Sequence, residues 1–141
     1  METEIQELFK KGKKAFEEGN DDHALNSFIE ASELAKEAEF HKIVSECYNY
    51  IGDIYRNNGR MDEALKFYER ALKINQEISE ELSMGISLYN IGQIYHIWGK
   101  YSEALEYYKK AREAFEDANA QQEISNIEDK IKEIYFKCGK C

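Results

Sequence analysis

The chain has 141 residues, 43% hydrophobic and 33% charged, with no proline and a formal net charge of −9. That length and apolar content fit one domain with a core and argue against a disordered tail. An acidic chain lacks the basic face needed for phosphate or anionic lipid, and no apolar run reaches the roughly 20 residues of a membrane span, so nucleic acid and membrane are excluded as partners. The start, Met1-Glu2-Thr3-Glu4, is acidic and lacks the basic and apolar regions of a signal peptide, which makes the cytoplasm the expected location.

The first predicted helix lies near residues 3–18, opened by a capping-box pattern at Thr3-x-x-Gln6 and closed by Gly19. The second, near 22–38, places Ala24, Leu25, Phe28 and Ala31 on one face, with Asp22 as its expected N-cap. The third, near 42–58, spaces Tyr48, Ile51, Gly52 and Tyr55 by three and four residues and ends at Gly59 as a left-handed C-cap. The fourth, near 62–78, repeats the second with Asp62, Ala64, Leu65, Tyr68 and Ala71. The fifth, near 82–98, carries Leu88, Ile91, Gly92 and Tyr95 and ends at Gly99. The sixth, near 102–117, carries Ser102, Ala104, Leu105, Tyr108 and Ala111. The seventh, near 121–137, follows a second capping-box pattern, Asn119-x-x-Gln122. Strand signals are absent, so the fold class is all-α.

These elements repeat with a period of 40: Gly12, Gly52 and Gly92 share one column, and Gly19, Gly59, Gly99 and Gly139 another. A glycine inside a helix costs about 0.5–1 kcal/mol relative to alanine, so a recurrent one marks a contact that admits no side chain. Tyr48-x-x-Ile51-Gly52-x-x-Tyr55 followed by Ala64-x3-Tyr68 resembles the tetratricopeptide repeat (TPR) signature, as does Leu88-x-x-Ile91-Gly92-x-x-Tyr95 followed by Ala104-x3-Tyr108. Leu8-x-x-Lys11-Gly12-x-x-Ala15 with Ala24-x3-Phe28 is a weaker match. The usual period is about 34 residues, so each repeat here is longer by about 9 Å of helix, and the proline that normally ends the second helix is missing. The long variant resembles the TPRs of kinesin light chains, Pins-type polarity adaptors and bacterial peptide-sensing regulators. The resemblance implies a right-handed solenoid of three helix-turn-helix repeats, about 3–40, 42–80 and 82–120, plus a capping helix about 121–137.

The outer helices read as caps. Glu4, Glu7, Lys11 and Lys14 stand in the columns that later hold Val44, Cys47, Ile51 and Ile54, and Glu128 and Lys132 replace Tyr48/Leu88 and Gly52/Gly92 in the last helix. The expectation is a domain complete at both ends and monomeric. The competing expectation is a weak homodimer or structural module joined through Tyr135, Phe136 and the last helix. Trp98 is expected to pack between repeats.

No nucleophile, acid–base pair, phosphate loop or metal-ligand spacing is evident, and His23, His41 and His96 fall in different helical contexts, so neither an enzyme nor a cofactor is expected. Cys138-Gly139-Lys140-Cys141 is half a zinc site or a redox pair at most, a minor reading, and Cys47 reads as inert packing.

The TPR resemblance implies that first helices line a concave groove for a peptide or helix. The columns beside the core stripe then give a peptide-binding set of Lys13, Asn49, Tyr50, Asp53, Arg56, Tyr89, Asn90, Gln93 and His96. Amides can pair with an extended backbone and tyrosines supply stiff contact area. In the kinesin-light-chain-like group a helix-borne asparagine holds the ligand backbone. Asn90 matches that column, and Tyr50 departs from it. The cationic clamp of chaperone-type grooves is not matched by Phe9, Lys13, Tyr50, Ile86 and Asn90. The expected function is a protein-interaction adaptor, with a neutral or basic protein or peptide as partner.

Overall fold

The computed structural model describes residues 2–139, and seven α-helices run through them: α1 (Glu2–Glu17), α2 (Asp21–Glu37), α3 (His41–Asn57), α4 (Met61–Glu77), α5 (Glu81–Ile97), α6 (Tyr101–Asp117) and α7 (Gln121–Cys138). No strand occurs among the described residues. The helices start and stop within about one residue of their expected positions, because each turn is built the same way. Arg60 N–H donates to Tyr55 C=O at 2.8 Å and Gly59 N–H to Arg56 C=O at 3.0 Å, the paired bonds of a Schellman motif. The pivot residue is left-handed, with φ +78° at Gly59. The turns that leave α2, α4 and α6 use the same device without glycine: Glu39, Ser79 and Asn119 take φ 61°, 56° and 55°.

This geometry corrects the expected caps. The helix restarts directly after the pivot, so the N-cap positions fall at Asn20 and Lys100, not Asp22 and Ser102, and α4 already runs at Met61, which puts Asp62 inside it. Asn20 Oδ1 accepts from His23 N–H at 3.4 Å. Asp22 and Asp62 lie in first turns, where the helix dipole favours an acid. The capping boxes are absent too. Thr3 is already inside α1, and Asn119 is the left-handed pivot before Ala120, the N-cap of α7, which makes no side-chain bond.

The chain divides into two compact units, one reaching to Ile74 and one beginning at Asn75, with the division inside α4. In the first unit Ala15, Ala24, Phe28, Ala31, Cys47, Ile51 and Ile54 form one buried cluster and Ile5, Ala35 and Val44 another. In the second, Ile91, Ile94, Ala104, Tyr108, Ala111, Phe115, Ile127 and Ile134 are buried. Glu4, Glu7, Lys11 and Lys14 are exposed on α1, as are Glu128 and Lys132 on α7.

Two classes of glycine do different work. A Cβ on Gly52 would lie 2.5 Å from Cε1 of Tyr68, on Gly12 2.8 Å from Cε1 of Phe28, and on Gly92 2.6 Å from Cδ1 of Tyr108. The ring of each second helix therefore lies directly against the backbone of the first. Burying such a ring contributes about 1.5–3 kcal/mol, more than the roughly 0.5–1 kcal/mol that an interior glycine costs. Gly59 meets nothing within 4 Å, and only its positive φ matters. Gly52→Leu is thus expected to cost about 3 kcal/mol or more by overpacking. Gly59→Ala is expected to cost about 1 kcal/mol by backbone strain alone. Urea denaturation of the two variants measures both, and equal losses would contradict the distinction.

Candidate functional site

The first helices carry every residue of the expected binding set, and each unit holds its own share. In the first unit these are Lys13, Asn49, Tyr50, Asp53 and Arg56. Tyr50 is half-buried and stacks on Phe28 with centroids 4.7 Å apart, edge-on to Phe9 at 5.8 Å and Phe16 at 5.6 Å. It fills the space between α1 and α3. Burial raises its hydroxyl pKa, and so do the carboxylates of Asp53, Glu46 and Glu17. Lys13 lays its ammonium 5.8 Å from the Phe9 ring centroid. Asn49 is buried and has partners within the chain.

Asp53 accepts a hydrogen bond from the Tyr68 hydroxyl and lies 3.7 Å from the Arg56 guanidinium. Its pKa is nevertheless raised, because burial outweighs the lowering by Tyr68 and Arg56. Burial likewise pushes the Tyr68 hydroxyl up, and the Asp53 charge adds to it. The packing ring brings a buried hydroxyl with it, and Asp53 satisfies that hydroxyl.

The second unit holds Tyr89, Asn90, Gln93 and His96. The Tyr108 hydroxyl here meets His96 Nδ1 at 3.1 Å, three residues along from the position that Asp53 occupies in its own repeat. Burial lowers the His96 pKa, Glu133 raises it, and Lys137 and Lys130 lower it. Gln93 Nε2 donates to the Tyr89 hydroxyl at 3.1 Å. Asn90 is only 7% exposed, yet it makes no hydrogen bond or other polar contact among the described residues.

A hollow of about 110 Å³ is lined by Ile86 and Tyr89 of α5, Phe115 of α6, and Glu123 and Asn126 of α7. Gly85 makes room for the Phe115 ring, since a Cβ there would lie 2.6 Å from its Cε1. Sequence reasoning read α7 as a cap, or as a self-association surface through Tyr135 and Phe136, and did not single out Glu123 and Asn126. Their columns, shared with Ile43 and Glu46, carried the signal.

The remaining candidates are placed as follows. Trp98 ends α5, edge-on to Tyr95 at 5.7 Å and 37% exposed. Phe136 is 91% exposed, and Tyr135 carries Lys109 5.7 Å from its centroid. The Cys47 thiol is buried and pushed up to about 12 by burial and then by Glu46, so it is a poor nucleophile. Of the terminal cysteine pair, Cys141 lies outside the described residues. Among the described residues no group of three or more His, Cys, Asp or Glu could hold a metal, and no helix is long and apolar enough to cross a membrane.

The sequence profile of the tetratricopeptide repeat matches residues 12–77 and 44–117. The chain belongs to the tetratricopeptide repeat family. No protein of curated function matches this TPR chain in sequence. Among solved structures it resembles aspartyl phosphate phosphatase F from Bacillus subtilis, at 22% identity and a TM-score of 0.92, over 97% of this chain and 37% of that one. It also resembles a Rap protein complexed with competence and sporulation factor, at 25% identity and a TM-score of 0.85, over 97% of this chain and 39% of that one. BtubC from P. vanneervenii matches at 21% identity and a TM-score of 0.66, over 99% of this chain and 67% of that one. The chain thus spans under half the length of the first two.

Two outcomes follow from the hydroxyl contacts. Asp53→Asn keeps an acceptor for Tyr68 and removes a charge that burial disfavours, so its stability is expected within about 1 kcal/mol of the parent, whereas Asp53→Ala orphans a buried hydroxyl and costs about 1–3 kcal/mol in urea denaturation. His96 has a folded pKa below its ordinary 6.5, so the stability it confers is complete above 6.5 and is lost as pH falls through the lowered value. The melting temperature is therefore expected to drop more between about pH 7.5 and 5.5 in the parent than in His96→Gln. Parallel drops would refute it.

Proposed function

We propose that this TPR chain is a non-enzymatic protein-interaction module that holds a peptide segment or helix of a partner against its first helices, with Tyr89, Asn90 and Gln93 in direct contact. The carrying observation is Asn90. Buried amides nearly always find a partner in the protein or in water, and Asn90, 7% exposed, has none among the described residues, so its amide is left to solvent or to a ligand. Its side chain offers two donors and an acceptor, the complement of a peptide group. It stands one helical turn from Ile86, on the same face of α5, and Ile86 lines the hollow. Family membership supports the reading, and so does the similar Rap protein that is complexed with competence and sporulation factor.

The first-unit set of Lys13, Asn49, Tyr50, Asp53 and Arg56 belongs to the same proposal with a division of roles. Tyr50 and Asp53 chiefly serve packing and the Tyr68 hydroxyl, while the carboxylates around Tyr50 make that face receptive to a basic or neutral segment. His96 divides likewise between Tyr108 and the open face.

The test is selection of a displayed random dodecapeptide library on the whole chain, followed by calorimetric titration of the enriched peptides. Asn90→Ala is expected to weaken them about tenfold, as the loss of two peptide-group bonds implies, with the melting temperature held because no internal bond is removed. Enrichment of no peptide, or equal affinity for Asn90→Ala, would overturn the proposal.

A further inference from the structure

Moving two periods along the chain lays α1–α3 onto α5–α7, and α7 departs from α3 at two positions, 123 and 130. The third residue of α3 is Ile43, half-buried and packed against both core clusters of its unit. The third residue of α7 is Glu123, also half-buried, with no cation and no hydrogen-bond partner among the described residues. In α3 the ring of Tyr50 fills the space beside α1. The matching residue of α7 is Lys130, whose ammonium lies 3.8 Å from Glu133 instead. With a carboxylate in place of isoleucine, the wall of the hollow of about 110 Å³ includes Glu123.

The helix dipole alone does not explain Glu123. An acid anywhere in the first turn of α7 would satisfy the dipole, and Gln121 and Gln122 are exposed positions where it would keep its hydration. The charge instead stands at the first-turn position that faces Ile86, Tyr89 and Phe115. Apolar walls ending in an unpaired carboxylate complement a side chain with an aliphatic stem and a cationic head. Asn126 adds a second group: Gln122 Nε2 donates to its Oδ1 at 3.0 Å, which leaves its Nδ2 to donate outward.

We propose that this hollow is the subsite for a lysine or arginine side chain of the bound segment. The stem lies on Ile86, Tyr89 and Phe115, the charge meets Glu123, and Asn126 donates to the carbonyl of the same residue. The proposal rests on the peptide-binding reading above and narrows its ligand class.

The probe is a set of amidated, acetylated pentapeptide pools, random at the outer four positions and fixed in the centre as lysine, arginine, norleucine or glutamate. The readout is the backbone amide shifts of Ile86, Glu123 and Asn126 in the whole chain. Lysine and arginine pools are expected to half-saturate the shifts at about fivefold lower concentration than norleucine, the upper range for a partly exposed ion pair, with glutamate weakest. Glu123→Gln, folded by its melting temperature, is expected to bring the lysine pool to the norleucine level. Equal response to lysine and norleucine in the parent would overturn the cationic subsite and leave peptide binding standing. A lysine preference that survives Glu123→Gln would overturn the assignment to Glu123. No response to any pool would overturn both readings.

Discussion

A ring packed directly against a glycine is the contact on which each helix pair depends. Phe28 on Gly12, Tyr68 on Gly52 and Tyr108 on Gly92 each put an aromatic edge where a Cβ would stand. The contact sets how closely the two helices approach, and that spacing fixes which flanking residues meet. The same exchange of volume recurs one layer away. Ile5 packs with Ala35 in the first unit, and in the second the matching columns hold Gly85 and Phe115, with the bulk moved from the first helix to the second. Close packing tolerates such a swap because total volume is conserved, while either half alone leaves a void or a clash.

The identity of the ring then dictates chemistry on the first helix. Phe28 needs no polar partner, and its flanking positions hold Lys13 and Phe16. Tyr68 carries a hydroxyl into the core, and Asp53 accepts it. Tyr108 does the same, and His96 answers from one turn further along. A buried hydroxyl left alone costs about 1–3 kcal/mol, which is enough to hold these polar residues in place whatever the open face binds. A polar residue on the receptive face therefore has two claims on it. Asn90 stands apart because no internal hydroxyl claims it.

The seven helices, the two glycine columns and the buried faces were legible in the sequence because each is periodic and each repeat confirms the others. The caps were misread for a local reason. The left-handed pivot leaves one residue before the next helix, so acids two positions later lie in the first turn and answer to the dipole instead of capping it. The site was legible only as a face. Which helix a residue such as Asp53 or His96 bonds across is set by the ring opposite, and a column of first-helix residues does not contain that ring. Glu123 and Asn126 went unread because α7 was judged by its solvated side, although Ile43 in the matching column marked position 123 as one where a side chain packs.

In a repeat protein the common pattern supplies stability, so specificity has to come from departures from it. The first unit departs little on its inner face: Phe9, Phe16, Phe28 and Tyr50 close on one another and leave no room. The second departs at several linked positions, with Gly85 under Phe115, lysine for tyrosine at 130, glutamate for isoleucine at 123, and an unclaimed amide at Asn90. Taken singly, glutamate at 123 and lysine at 130 weaken packing, because each replaces a residue that packs in the first unit, and Gly85 removes volume that only Phe115 returns. Of these positions Glu123 lines the hollow of about 110 Å³, with the amide of Asn126 beside Ile86, Tyr89 and Phe115 in the same lining. Departures on the outer faces of the helices, while the glycine-and-ring contacts beneath stay intact, are what the proposed binding surface would cost a fold whose stability is carried elsewhere.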